Sequence, residues 1–288
     1  MTPAADLAGP GVADRYYEEL VTRNAGFVAP RSQHRLRSAR VLVAGCGSTG
    51  GAAIEPLARF GVCDFVLADN GCYELNNLNR QHAGYRDVGR NKAVVGGDRL
   101  AEINPYARIE THEEGVTAAN ATALVSGTDV VIDGVDVTER SGWTAKYLLH
   151  EAASAARRPV LTGYDMAGTQ YIRCYDYRTG LAPFAGRLIR SHVDTLDPWR
   201  LLRRVVPLRT VPLEMLENAR TRLGDPDYSV PQLVYASLLF GALACRMVAD
   251  LVDGRPVRRH VRVDVHARVR PTRTALAAAL HRPVVLAR

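Results

Sequence analysis

Between residues 40 and 163, short continuous apolar runs take turns with longer stretches in which apolar side chains return every third or fourth position. The first pattern predicts a strand buried on both faces, the second an amphipathic helix. Strands are expected at residues 40–45 (RVLVAG), 64–69 (DFVLAD), 107–111, 129–134 and 159–163. Helices are expected between them at 49–60, 91–102, 117–126 and 140–157. The first helix carries Ala52, Ala53, Leu57 and Phe60 on one face and is closed by Gly61. Pro56 removes a backbone donor inside it, which predicts a kink. Such alternation implies an α/β fold: a doubly wound, mostly parallel sheet with helices on both faces.

The pattern is different on either side of this core. Residues 1–14 read as a loose tail, and 15–37 carry a helical pattern that ends in basic residues. After residue 163 a strand-like alternation covers 170–177, and 181–230 is rich in Pro and Arg with weak periodicity. A stretch of that length is expected to be functional or mobile, not an inert connection. Residues 232–251 predict a strongly apolar helix. Residues 260–269 alternate strictly, with Val261, Val263, Val265, Ala267 and Val269 on one face, and predict a closing strand. The expected organisation is a tail and helix over 1–34, a main domain over 35–180, and an α+β extension over 181–288.

Composition narrows the classes. The 288 residues are 47% hydrophobic and 23% charged, enough for a sizeable core and unlike a disordered or fibrous chain. The most apolar stretch, 233–245, is interrupted by Ser237 and Gly241 and stops at Arg246. It falls short of the ~20 residues a bilayer crossing needs, so no membrane association is expected. The N-terminus lacks a basic segment followed by an apolar one, so no secretory signal is expected. The five cysteines are an odd number without a C-x-x-C pair, which argues against a disulfide framework or a zinc site and for a reducing cytoplasm. The net charge is +7, and two lysines, Lys92 and Lys146, stand against 35 arginines (37 − 2). The arginines are scattered, a sign of codon bias more than of a nucleic-acid surface.

Two motifs carry chemistry. Gly45-Cys46-Gly47-Ser48-Thr49-Gly50 is a G-x-G-x-x-G between a strand and a helix, where glycines let the backbone approach a phosphate at the helix N-terminus. Asp69 follows 19 residues after Gly50, at the end of the next strand, where a carboxylate can accept ribose hydroxyls. This motif does not choose between a dinucleotide and ATP. The second does: Asn76-Asn77-Leu78-Asn79-Arg80-Gln81, then Gly89-Arg90-Asn91-Lys92. A polar run and a fixed lysine beside the phosphates suit nucleotidyl transfer, in which charge builds as pyrophosphate leaves.

Gly45–Gly50, Asp69, the NLNRQ run, Gly89 and Lys92, Ile103-Asn104-Pro105 and the Asp133/Asp136 pair occur in the order in which the ThiF/MoeB/HesA family carries them. The chain resembles that family, the bacterial relatives of ubiquitin-activating enzymes, over about residues 20–178. The resemblance implies a Rossmann-like domain that binds ATP and magnesium and adenylates a carboxylate, often the C-terminus of a peptide or small carrier protein, and otherwise a small acid. It places Gly45, Gly47 and Gly50 on the phosphates, Asp69 on the ribose, Asn77 and Arg80 on the phosphates, and Lys92 on the transferring α-phosphate. It gives the magnesium to Asp136 and a structural role to Asp133. It makes Arg23 the arginine that reaches the partner subunit's nucleotide, with Arg15 as the other candidate, and so implies a homodimer, which the apolar stretch 232–251 also suggests.

The departures from the family pattern carry information too. The usual second acid after the ribose Asp is replaced by Gly71, the Asn after the metal Asp by Val137, and the paired C-x-x-C zinc ligands are absent. Residues 181–230, where a thioester-forming cysteine is expected, contain none. These points favour an adenylate attacked directly by a non-cysteine nucleophile in a specialised biosynthetic pathway. Two other classes stay open from the sequence: an NAD-dependent oxidoreductase on the same glycine loop, and a non-catalytic relative that presents a peptide to a partner enzyme.

Overall fold

A computed structural model describes residues 11–222 and 230–274. Helices α1 (Val12–Val21) and α2 (Pro30–Ser38) precede the sheet. The core then follows as β1 (Arg40–Ala44), α3 (Ser48–Phe60), β2 (Asp64–Ala68), α4 (Lys92–Ile103), β3 (Arg108–His112), α5 (Ala121–Ser126), β4 (Val130–Asp133), α6 (Arg140–Ala155) and β5 (Val160–Met166). A hairpin partner, β6 (Thr169–Tyr175), and a later strand, β7 (His260–Asp264), complete one seven-stranded sheet in the order β3-β2-β1-β4-β5-β6-β7. The first five strands are parallel, and β6 and β7 are antiparallel. The order reverses between β1 and β4, and the strands' carboxyl ends at this switch point form the crevice where such sheets take ligands. Strands β2 and β4 are buried along their whole length, as their unbroken apolar runs require.

Three observations refine these expectations. First, α3 runs as one helix through Pro56. Pro56 cannot donate to the Ala52 carbonyl, and that oxygen instead faces Gly241 of the long helix α10 (Val234–Val252), where a Cβ would stand closer than 3.0 Å. Second, the weakly periodic stretch after residue 181 is built from short helices, α7 (Arg190–Thr195), α8 (Pro198–Val205) and α9 (Leu213–Arg222). Their Val193, Leu201 and Val205 close over Tyr164, Tyr171 and Tyr175 of the sheet. Third, the closing strand stops at Asp264, whose carboxylate accepts the Ala267 N–H at 2.9 Å and starts the short helix α11 (Val265–Val269). Val269, expected on the strand's buried face, is 75% exposed.

Helix α10 falls where the apolar helix over 232–251 was expected. At 19 residues and a mean hydropathy of 1.5 it is long and apolar enough to cross a membrane by length and composition, and half of its apolar window is buried inside this fold. Phe240, Ala244 and Val248 are fully buried in the cluster that holds Ala53, Leu57 and Ile172. Its apolarity is used largely within the chain, although Val234 and Leu238 remain 44% and 50% exposed.

Candidate active site

The glycine loop leaves β1 with Gly45 at φ +82°, and a Cβ there would collide with the Gly134 backbone after β4. A Cβ at Gly50 would likewise strike the Gly45 carbonyl. These two glycines are demanded by the protein's own packing. Gly47 is different: a Cβ there would meet only the Gln81 side chain at 3.6 Å, so this residue faces the crevice. The N-terminus of α3 has no side-chain cap, which leaves its N–H donors available to an anion. Gln81 Oε1, beside Gly47, is buried without a hydrogen-bond partner.

Asp69 stands at the end of β2. Its Oδ2 accepts the Cys46 N–H at 2.5 Å and its Oδ1 the Gly71 N–H at 2.7 Å, so it ties the glycine loop to the loop that follows. Burial raises its pKa, opposed by the Gly71 amide, Lys92 and the Cys46 amide. Lys92 opens α4, capped by Asn91, whose Oδ1 accepts from Ala93 and Val94 and whose Nδ2 donates to the Asp69 carbonyl at 2.8 Å. The Lys92 ammonium lies over the Tyr73 ring at 5.9 Å and makes no hydrogen bond or ion pair among the described residues. A Cβ at Gly71 would sit 3.1 Å from Asp69 Oδ1 and 3.5 Å from Lys92 Nζ, so a side chain at the position of the missing second acid would crowd both groups.

Arg80 reaches the same crevice from the turn Leu75–Asn79. Its Nε donates to Gln232 at 2.5 Å and its Nη1 to the Asn76 carbonyl and Asn79 Oδ1, leaving Nη2 unengaged among the described residues. Partial burial lowers its pKa, against the pull of Asp165 and Asp136. Asn77 is brought near but turned inward: it is buried, its Oδ1 accepts the Glu74 N–H at 3.2 Å, and its Nδ2 donates to Asn76. Asn77 thus shapes the turn that carries Arg80.

Asp136 lies exposed on the loop after β4, accepting from the Thr138 N–H and hydroxyl at 2.9 Å each, and its charge acts on both Asp69 and Arg80. Among the described residues no three His, Cys, Asp or Glu side chains gather to hold a metal unaided. One exposed carboxylate at a phosphate crevice still fits magnesium, which keeps waters and takes most of its other oxygens from the phosphates. The uncapped N-terminus of α3 and the Lys92 ammonium, unpaired among the described residues, fit a nucleoside triphosphate in the same crevice.

Arg23 is not brought there. It is exposed in the turn Thr22–Asn24 and makes no hydrogen bond or ion pair among the described residues, and the neighbouring Asn24 bonds to the Phe60 carbonyl. That is the far end of α3, ~20 Å of helix from the glycine loop. Two residues that the sequence reading passed over do belong to the site. Asp165, at the end of β5, accepts the Ser48 hydroxyl at 2.6 Å and, with the Gln170 amide turned to donate, that nitrogen at 2.5 Å. Burial raises its pKa, opposed by the hydrogen bonds from Ser48 and Thr49 and by Arg80. Its signal was an acid inside the apolar run 160–166. Lys146, the second of only two lysines, is fully buried, with Nζ 2.7 Å from Asp133 Oδ2.

Residues 21–180, more than half of the chain, match the ThiF family. The chain belongs to that family. A probable adenylyltransferase/sulfurtransferase MoeZ of Mycobacterium tuberculosis (strain CDC 1551 / Oshkosh) is 35% identical over 182 residues, 62% of this chain and 44% of that protein. A sulfur carrier protein adenylyltransferase of Thermus thermophilus is 31% identical over 151 residues, 52% of this chain and 53% of that one. This ThiF-family chain therefore spans about half the length of these relatives. Among solved structures, PaaA superposes with a TM-score of 0.62 at 20% identity, covering 90% of this chain and 81% of that one. The Escherichia coli tRNA N6-threonylcarbamoyladenosine dehydratase TcdA, in complex with ATP, does so with 0.58 at 21% identity, covering 82% and 95%. These likenesses fix the fold as the Rossmann-like one of the ThiF family.

Proposed function

We propose that this ThiF-family chain is an ATP-dependent adenylyltransferase that activates a carboxylate as an acyl-adenylate. The observation that carries this reading is the convergence, at the carboxyl ends of β1, β2 and β4, of the glycine loop, Asp69, Arg80, Lys92 and Asp136. ATP supplies the adenylyl group, which the carboxylate oxygen takes as pyrophosphate leaves. Asp69 holds the ribose, Gly45, Gly47 and Gly50 let the backbone meet the phosphates, and the free Lys92 ammonium neutralises charge at the α-phosphate. Arg80 holds the departing phosphates, and Asp136 holds magnesium. In-line transfer asks little beyond positioning and charge neutralisation, which these groups supply.

The substrate carboxylate is that of a peptide, a small carrier protein or a small acid; one similar protein is named a sulfur carrier protein adenylyltransferase. Direct attack by a non-cysteine nucleophile is supported by the thiols. Cys46 is buried and its pKa raised, and burial pushes Cys174 and Cys245 up to about 12. Cys72 alone is exposed, in the loop after Asp69 on the ribose side. A homodimer is supported by two exposed side chains near the far end of α3: Arg23, which has no hydrogen bond or ion pair among the described residues, and Phe27, which is 90% exposed. Pyrophosphate–ATP exchange across a panel of peptide and small-acid carboxylates tests the reading: carboxylate-dependent exchange is expected, and nicotinamide-cofactor binding without exchange would replace it with an oxidoreductase.

A further inference from the structure

Beneath the crevice lies a polar network with no access to solvent. Asp133, the last residue of β4, is fully buried, and its Oδ2 receives Lys146 Nζ at 2.7 Å, His150 Nε2 at 2.9 Å and the Thr162 hydroxyl at 2.9 Å. His150 Nδ1 meets the Tyr177 hydroxyl at 2.6 Å, and Tyr177 accepts the Phe184 N–H at 2.9 Å. A buried charge pair needs this degree of satisfaction to persist, and its usual reward is a fixed geometry more than stability.

The geometry fixed here is that of the loop to Asp136. Asp133 Oδ1 accepts the Val135 N–H at 3.2 Å, and Lys146 Nζ donates to the Val135 carbonyl at 3.4 Å. Both backbone groups of Val135 are therefore held by the two members of one ion pair. The flanks are held as well: Gly134 packs on the backbone of Gly45 and Gly50, Gly142 packs on the Asp136 carbonyl, and the Trp143 indole N–H donates to the Val137 carbonyl at 2.9 Å. The Asp136 side chain bonds only to Thr138, so its direction follows from the path of its backbone.

We infer that the buried Lys146–Asp133 pair is a positioning device that sets the Asp136 carboxylate toward the phosphates. Lys146 and Asp133 are positioning residues and touch no substrate. The inference rests on the reading of Asp136 as the metal ligand, and it gives the second lysine of the chain a role in the site.

The experiment measures AMPCPP binding by calorimetry with and without Mn2+, and adenosine binding as a control for the ribose side. The paired variant Lys146→Met/Asp133→Asn removes both charges, so neither is left buried alone. It is expected to fold, to bind adenosine as the wild type does, and to lose 10–100-fold of the Mn2+-dependent gain in AMPCPP affinity, the usual cost of losing support behind a metal ligand. Lys146→Arg, which keeps the charge, is expected to retain part of the gain. A folded paired variant with the full gain overturns the inference. If the pair does not fold, Thr162→Val takes its place, because it removes one hydrogen bond from Asp133 and no charge: a reduced gain supports the inference, and a full gain with a lowered Tm overturns it. Asp136→Asn separates the two claims. If it keeps the full gain, the metal assignment fails and the inference with it; if it loses the gain while the paired variant keeps it, the inference alone fails.

Discussion

Acid should loosen this protein through Asp133 as the pH falls below about 4. Burial by itself would raise the Asp133 pKa, yet Lys146 and the hydrogen bond from His150 bring it down to about 2, from 3.8. A depressed folded-state pKa means that the unfolded chain binds the proton first. The contribution is whole above about pH 4 and is lost as the pH falls from there toward 2. A shift of this size corresponds to about 2 kcal/mol. His150, fully buried with a pKa lowered by burial, adds in the same direction at higher pH, since unfolding lets it take a proton below about 6.5. Urea unfolding between pH 7 and pH 2.5, followed through the fully buried Trp143, reads both effects. The wild type is expected to lose about 1–2 kcal/mol more than Lys146→Met/Asp133→Asn between pH 7 and pH 2.5, because the paired variant has no carboxylate there to protonate. Parallel curves for the two proteins would refute the reasoning.

The other expectations concern packing, catalysis, assembly and the acyl carrier. Gly241→Ala should gain about 1 kcal/mol of helix propensity and lose about 1–3 by overpacking against the Ala52 carbonyl, for a net loss in urea unfolding, whereas Gly127→Ala, with open space around its Cβ, should show no such loss. Lys92→Ala and Asp136→Ala should each lower pyrophosphate exchange ~10²–10³-fold with Tm unchanged, since neither side chain supports the core. Light scattering at micromolar concentration should show a dimer, and a fully active monomer would remove Arg23 from the site. Mass analysis of the enzyme with ATP and substrate, without reductant, should show no thiol-labile adduct; one abolished by Cys72→Ala would put a thioester back into the reaction.

The core of the fold could be read because buried parallel strands print themselves as unbroken apolar runs, and each observed core strand overlaps its expected span. The helices after residue 181 could not, because α7 and α8 have six and eight residues, shorter than the window that reveals a 3.6-residue period. One local signal was present there: Asp197-Pro198, a cap followed by proline at the first helical position, with the Asp197 carboxylate accepting the Arg200 N–H at 3.0 Å. The His260–Val269 alternation misled for a similar reason, since it continues past Asp264 while that side chain begins a helical turn. At the site, the glycine loop, Asp69, Arg80, Lys92 and Asp136 were visible as motif residues. Asp165 and Lys146 were not, because each is a single polar residue within an apolar pattern, and its partner lies 117 and 13 positions away (165 − 48 and 146 − 133).

The C-terminal extension matters to the crevice through a short span, residues 231–237. Ala167 of the β5–β6 turn donates its N–H to the Pro231 carbonyl at 3.1 Å, Gln232 takes Arg80 Nε, and the Ser237 hydroxyl donates to the Ser48 carbonyl at 2.6 Å. One segment thus holds the turn beside Asp165, the phosphate-facing arginine and the first residue of α3. A charge-assisted bond from Arg80 to a phosphate is roughly twice as strong as a neutral one. Bringing Nε to a phosphate therefore means giving up Gln232, whereas the unengaged Nη2 is available without disturbing it. An Arg80 that binds through Nη2 keeps its bond to Gln232; one that turns Nε inward gives that bond up, while the Ala167–Pro231 and Ser237–Ser48 bonds still hold the segment on the crevice.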